Sequence, residues 1–162
     1  FGEKIGVAFQ LADDVIDLAG DSETTGKTPG TDLREGVDTM PVLLLRKALA
    51  AGELDAAGQA ILSRLSTGNL ADDAVLADIV ARLRLHPVLA RTREMAMTWA
   101  REAVGALAGL EDAVLAGTRE RLDAAGSGGA EREAALADAA QRVALVREGM
   151  EQFARLLVDR AA

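Results

Sequence analysis

Cysteine is absent from this sequence, and aromatic residues, proline and lysine are scarce. Without cysteine the chain can form neither disulfides nor thiolate metal sites, which fits a cytoplasmic protein. Only 2% of the residues are aromatic and the formal net charge is −8, so the features typical of a nucleic-acid-binding protein are missing. No run of about eighteen uncharged apolar residues occurs, and we therefore expect no integral membrane segment.

The abundant residues are alanine and leucine, and they recur with helical spacing. These side chains lose little conformational freedom on entering a helix. No segment shows the alternation of a strand, so we predict an all-α protein. A loop is expected over residues 20–38. The predicted helices cover residues 1–20, 40–51, 54–65, 71–85, 87–110, 111–125 and 131–159.

The length of 162 residues suits one helical domain spanning residues 1–162. Within it, the run Gly126-Ser127-Gly128-Gly129 predicts a flexible Gly/Ser turn at 126–130. The sequence begins at Phe1 rather than at methionine and enters helical periodicity at once. We interpret this as the C-terminal portion of a longer chain.

Three carboxylates lie close together on the first predicted helix. At helical spacing, Gly6, Gln10, Asp13 and Asp17 form one stripe, with Asp14 on its edge. The rest of this helix is apolar on nearly every face, so we expect it to be buried. Buried carboxylates need a counter-charge from a basic side chain or a divalent metal, and their hard oxygens suit Mg²⁺. The alternative is an acidic stripe on a solvated face.

A glycine-rich segment follows the carboxylates and contains Gly26-Lys27 and Gly30-Thr31-Asp32. Glycines let the backbone approach a ligand closely, and a lysine among them provides a point charge for phosphate oxygens. The alternative is a surface loop with an incidental lysine. Lys27 is one of only three lysines in the sequence.

Taken together, these motifs resemble the second aspartate-rich region of the trans-isoprenyl diphosphate synthases, the polyprenyl synthetase family. The resemblance covers roughly the first fifty residues, in order and in spacing. The matching residues are Phe9-Gln10, Asp13-Asp14-Val15-Ile16-Asp17, Gly26-Lys27, Gly30-Thr31-Asp32 and Thr39-Met40-Pro41.

The resemblance implies part of an isoprenoid-synthase helical bundle whose carboxylates face a central cavity. It implies a prenyltransferase that elongates an allylic diphosphate with isopentenyl diphosphate, with Mg²⁺ as cofactor. The catalytic residues would be Asp13, Asp14 and Asp17, with Asp13 and Asp17 holding the metal. The residues implied to bind substrate surround them in sequence: Phe9, Gln10, Lys27, Thr31 and Asp32.

The sequence also departs from the family pattern. The family's other aspartate-rich motif lies N-terminal to this region and is absent, so we expect the isolated chain to be inactive. A second lysine of the family pattern is replaced by Val37. The alternative function is a non-catalytic helical subunit or truncated paralogue that binds prenyl diphosphates or stabilises a full-length partner. Apolar surface left where other helices would pack predicts a homo-oligomer, such as a dimer.

Three further residues receive structural interpretations. His86 precedes Pro87 at a helix break, and we predict that it caps a helix or lies on the surface. Trp99 and Phe153 are expected to be core or interface anchors rather than stacking platforms for bases.

Overall fold

The structure of the protein, a computed structural model, describes residues 1–20 and 28–159. This part of the chain consists of helices joined by turns and contains no strand, which confirms the predicted all-α class. In chain order the helices are α1 (Gly2–Ala19), α2 (Thr31–Arg34), α3 (Met40–Ala51), α4 (Ala56–Thr67), α5 (Asp73–Leu85), α6 (Pro87–Gly105), α7 (Leu110–Ala125) and α8 (Gly129–Asp159).

Helix α1 lies at the centre of the packing. It contacts α6 most extensively and also contacts α3, α5 and α8. One face of α1 supplies apolar side chains to a core shared with α2, α3, α4, α5, α6 and α8. Those side chains are Ile5, Ala8, Ala12, Val15 and Leu18. The helix that carries the candidate carboxylates is therefore held on one side by several other helices.

The opposite face of α1 is exposed, and the expectation of a helix buried on nearly every face is wrong for the described structure. The Phe9 side chain is 52% exposed, and Gln10 and Asp13 also reach solvent. The reason is that the helices packed against α1 cover only one of its faces. The exposed face is the one that carries Gly6, Phe9, Gln10 and Asp13.

Side-chain caps explain several helix starts. Asp55 accepts a hydrogen bond from the Gly58 N–H at 2.7 Å and begins α4. His86 begins α6, because its Nδ1 accepts from the Val88 N–H at 3.1 Å. The predicted capping role of His86 is thus confirmed. Its Nε2 lies 3.1 Å from Oδ1 of Asp55, so the two caps are also joined to each other.

Several predicted boundaries differ from the structure, most of them by one or two residues, and three of the differences concern loops and turns. The short helix α2 lies inside the predicted loop of residues 20–38. Helix α6 ends at Gly105 rather than continuing to residue 110. The turn predicted at 126–130 is shorter than expected. Gly126 ends α7 with a φ of +66°, and α8 already begins at Gly129. The flexibility of this turn stays a prediction.

Helix α7 and the N-terminal part of α8 form a helical hairpin, which we call the α7–α8 hairpin. Its two helices pack mainly on each other, whereas α8 also reaches α6 and α1. Thr118 is the one buried residue that α7 contributes. Trp99 packs against the core as predicted, but Phe153 on α8 is 52% exposed. Among the described helices, none combines the length and hydropathy needed to cross a membrane.

Candidate functional site

The last two turns of α1 place the three aspartates of the motif in different surroundings. Asp13 is exposed and Asp17 is partly buried, and both lie on the side of α1 that faces the start of α2. Asp14, one residue further round the helix, is only 7% exposed. Residues one turn apart share a face, whereas neighbours in sequence do not. The motif is therefore divided between an open side and a packed side.

Asp14 joins α1 to α3 through its carboxylate. Its Oδ2 accepts a hydrogen bond from the Met40 N–H at 2.7 Å, and its Oδ1 accepts from the Gln10 Nε2 at 3.1 Å. The Met40 N–H is one of the first amides of α3, which lack partners within their own helix. Burial raises the pKa of Asp14, and the two hydrogen bonds oppose that rise. Both Asp14 oxygens are thus used inside the protein.

Asp13 and Asp17 line an open pocket of about 280 Å³. The opposite wall comes from α2 and the residues just before it. Four residues predicted from sequence to form the site meet in this pocket, namely Asp13, Asp17, Thr31 and Asp32. The remaining wall residues are Ile16, Gly20, Thr28 and Pro29.

Gly30 allows the start of α2 to pack closely against α5. Its φ of +82° is one that residues with a side chain rarely adopt. A Cβ at this position would lie 2.6 Å from Cγ2 of Val80 on α5, a distance shorter than real contacts. The Gly30 N–H donates to the Asp17 carbonyl at 3.0 Å, and Arg34 pairs with Asp73 of α5 at 2.5 Å. The pocket wall is therefore fixed to both α1 and α5.

The electrostatics of the pocket are unfavourable for three ionised carboxylates. Burial and, after it, the nearby Asp32 carboxylate raise the pKa of Asp17 to about 6. The backbone N–H groups of Asp32 and Thr31 act against that rise. Within the described residues, the Oδ2 of Asp17 is buried and has no hydrogen-bond partner. A cation at this oxygen would relieve both the repulsion and the missing contact.

These features fit Mg²⁺ held by few protein ligands. In residues 1–20 and 28–159, no group of three or more histidine or carboxylate side chains is arranged as a metal cage. Mg²⁺ commonly takes only one or two carboxylates and keeps waters or phosphate oxygens for its other positions. Asp13 and Asp17, one turn apart beside an open pocket, match that requirement.

Not all predicted site residues meet in the pocket. Gln10 is turned to Asp14, and Phe9 is exposed on α1. Lys27 lies outside the described residues. Sequence reasoning missed Arg84 of α5, which donates to carbonyl oxygens at the end of α1. The only sequence signal was indirect: the last turn of α1 contains no basic residue of its own.

The family match covers the segment that contains this pocket. The model of the polyprenyl synthetase family matches residues 1–77, which include every residue lining the pocket. That segment runs from α1 into α5. The α7–α8 hairpin lies outside it.

Curated relatives have names that agree with this family. The chain is 40% identical over 111 residues to the nonaprenyl diphosphate synthase of Mycobacterium tuberculosis. This match covers 68% of this chain and 31% of the relative. It is 35% identical over 112 residues to the octaprenyl diphosphate synthase of Escherichia coli, and this match covers 69% of this chain and 33% of the relative. The farnesyl diphosphate synthase of Escherichia coli is 48% identical over 44 residues, 27% of this chain and 15% of the relative.

No solved structure matches the chain significantly. The chain spans only 31% and 33% of the first and second relatives named above. The family match nevertheless contains the carboxylates, the glycine-rich segment and the start of α3 in one continuous stretch. Residues 1–77 of the chain therefore match the polyprenyl synthetase family, and the chain is similar to relatives named as prenyl diphosphate synthases.

Proposed function

We propose that this chain supplies the second Mg²⁺–diphosphate site of a trans-prenyltransferase. The observation that carries the proposal is the pocket shared by Asp13, Asp17 and Asp32, in which a buried Asp17 oxygen has no hydrogen-bond partner among the described residues. A site made of carboxylates alone repels a diphosphate. With a divalent cation, the same carboxylates and the phosphate oxygens can bind one metal ion together.

The proposed roles divide the metal from the diphosphate. Asp13 and Asp17 hold Mg²⁺, and Asp32 and Thr31 border the diphosphate on the opposite wall. Lys27, which lies outside the described residues, supplies a positive charge to the diphosphate. When bound, Mg²⁺ neutralises charge that develops on the departing diphosphate.

Phe9 and Gln10 have a different relation to the pocket. Both lie on the exposed face of α1, before the carboxylates, and the Gln10 amide donates to Asp14. We propose that they border the bound substrate along α1. Asp14 supports catalysis indirectly, because its carboxylate holds α1 against α3.

The proposed reaction of the whole protein is elongation of an allylic diphosphate by isopentenyl diphosphate. Names of relatives support it, since they include nonaprenyl, octaprenyl and farnesyl diphosphate synthases. Because the chain spans only part of those relatives, we expect the 162 residues alone to form no product. A cytoplasmic location, a homo-oligomeric state and a single domain over residues 1–162 stay predictions.

A second candidate function is a non-catalytic subunit that binds prenyl diphosphates or stabilises a catalytic partner. Two relatives are named as a component or a subunit of a synthase. One is the heptaprenyl diphosphate synthase component 2 of Geobacillus stearothermophilus, and another is the decaprenyl-diphosphate synthase subunit 1 of Schizosaccharomyces pombe. Turnover of an allylic diphosphate by the chain together with a partner subunit distinguishes the two candidates when Asp13→Asn is compared with wild type. A catalytic chain requires that the variant lose turnover, whereas a non-catalytic chain leaves turnover unchanged.

Isothermal calorimetry with inorganic pyrophosphate tests the site in this chain. Binding should be weak without Mg²⁺ and should strengthen about 10–100-fold when Mg²⁺ is present. Asp13→Asn should remove most of that coupling. The matched control is Asp138→Asn, which changes an exposed aspartate on α8. If Mg²⁺ strengthened pyrophosphate binding equally in wild type and Asp13→Asn, the acidic stripe would be only a solvated face, and the proposal would be overturned.

A further inference from the structure

The C-terminal end of α1 has an electrostatic problem. It carries Asp13, Asp14 and Asp17 in its last two turns, where the partial negative charge of the helix dipole disfavours acids. Its last turn contains no basic residue, and Gly20 closes only one of the terminal carbonyl groups, that of Ile16. The other carbonyl groups of this turn need donors from outside the helix.

The Gly30 N–H supplies the donor for the Asp17 carbonyl, and Arg84 of α5 supplies two further donors. Its Nε donates to the Leu18 carbonyl at 2.6 Å, and its Nη2 donates to the Gly20 carbonyl at 2.8 Å. One planar guanidinium thereby holds two points of the chain just after Asp17. The positive charge also lies at the end of the helix where it is favourable.

Helix α5 holds the other wall of the pocket as well. Val80 packs directly against Gly30, and Asp73 pairs with Arg34 at the end of α2. Arg84 lies one turn after Val80 on the same helix. Helix α5 thus contacts both walls of the carboxylate pocket. Arg84 makes the polar contact with the α1 wall.

We infer that Arg84 is a positioning residue for the carboxylate pocket: it sets the distance between Asp17 and the α2 wall without contacting the ligand. The inference rests on the proposed function, because it assigns Arg84 to the same Mg²⁺–diphosphate site. Residues that orient metal ligands from outside the coordination shell commonly change affinity by 10–100-fold when altered.

The test compares Arg84→Met with Arg82→Met. Arg82 lies on the same helix and pairs with Asp78 on an exposed surface, so it matches Arg84 in chemistry but not in position. Calorimetry with pyrophosphate and Mg²⁺ is performed at a temperature where circular dichroism shows each variant folded. Arg84→Met should weaken Mg²⁺-dependent pyrophosphate binding about tenfold, and Arg82→Met should leave it unchanged.

Arg84→Lys provides the second variant. Lysine keeps the positive charge but lacks the fork that spans two carbonyls, so binding should fall between wild type and Arg84→Met. Wild-type binding in a folded Arg84→Met overturns the inference, as does an equal loss in Arg82→Met. If Arg84→Met does not fold, wild-type binding in Arg84→Lys overturns it. Absence of Mg²⁺ coupling in the wild-type chain would instead overturn the proposed function.

Discussion

The carboxylate pocket and the α7–α8 hairpin are stabilised in different ways. Around the pocket, polar contacts join residues far apart in sequence: Asp14 reaches Met40, and Arg84 reaches Leu18 and Gly20. In the hairpin, ion pairs connect near neighbours, such as Arg142 with Asp138 one turn away. Helix α1 contacts four other helices, whereas α7 packs mainly on α8.

This difference shows which region depends on contacts between distant parts of the chain. Asp13, Asp17 and Asp32 must keep fixed positions relative to one another, and contacts from α3 and α5 keep them there. The hairpin needs only its own two helices to form. Substitutions around the pocket should therefore have larger effects than matched substitutions in the hairpin.

The largest expected difference is in the core. Leu18 is fully buried beside the pocket, while Leu145 on α8 is 62% exposed. Leu18→Ala should lower the free energy of unfolding by about 3–4 kcal/mol, because it leaves a cavity in a packed core. Leu145→Ala should lower it by less than about 0.5 kcal/mol. Urea denaturation measures both, and similar losses would contradict the comparison.

The next largest effect concerns two glycines with positive φ. Gly30→Ala should destabilise by about 2–3 kcal/mol, because the new Cβ is strained and collides with Val80. Gly126→Ala meets open space in the hairpin turn, so only the backbone strain of about 1 kcal/mol remains. Thermal unfolding of the two variants gives the ranking. A Gly126→Ala variant that is the less stable of the two would reverse the comparison.

Two aspartates provide a third contrast. Asp14→Ala should cost about 1–2 kcal/mol, because it leaves the first amides of α3 uncapped. Asp123→Ala removes an exposed ion pair with Arg132 within the hairpin and should change stability little. Chemical denaturation of the two variants measures the difference. If Asp14→Ala is as stable as Asp123→Ala, the link between α1 and α3 contributes nothing.

The smallest effect is a pH dependence of opposite sign in the two regions. The pKa of Asp17 is about 6 in the folded protein against 3.8 for the free residue, so the folded state holds this proton more tightly. Stability should therefore rise as pH falls from about 6 to 4, by about 1–2 kcal/mol after allowing for solvent screening. Asp17→Asn should reduce this rise, because the amide does not titrate, whereas Asp14, whose pKa burial also raises, keeps its own contribution.

The hairpin should respond only at lower pH. The pKa of Asp123 lies below 3.8 because Arg132 stabilises its charge, so its contribution persists until the pH falls below that value. Thermal unfolding between pH 4 and 7, with and without Mg²⁺, separates the two regions. Mg²⁺ should stabilise the chain mainly above pH 6, where Asp17 is ionised. If the Asp17→Asn variant kept the full pH dependence of stability, that dependence would arise from other groups.

The exposed side of α1 shows the limit of periodicity as a guide to burial. The apolar pattern of residues 1–20 correctly predicts a helix, but it overestimates how much of the helix is covered. Phe9 is apolar and exposed, and Asp14 is charged and buried. Burial depends on which helices pack against each face, and a single helical repeat carries no information about them.

The sequence by itself determined the all-α class, the helix starts near Pro41 and at Pro87, and the order of the motifs within the family match. These features depend on residues close together in the chain, such as helical propensity and capping. It also placed Asp13 and Asp17 on one face, since they lie one turn apart.

Only the tertiary structure decided that Thr31 and Asp32 form the opposite wall, that Asp14 caps α3 and that Arg84 closes the end of α1. Arg84 and Leu18 are 66 residues apart, so no local pattern connects them. The physical reason is that a buried carboxylate or an open helix end requires a partner, but packing selects which distant residue provides it.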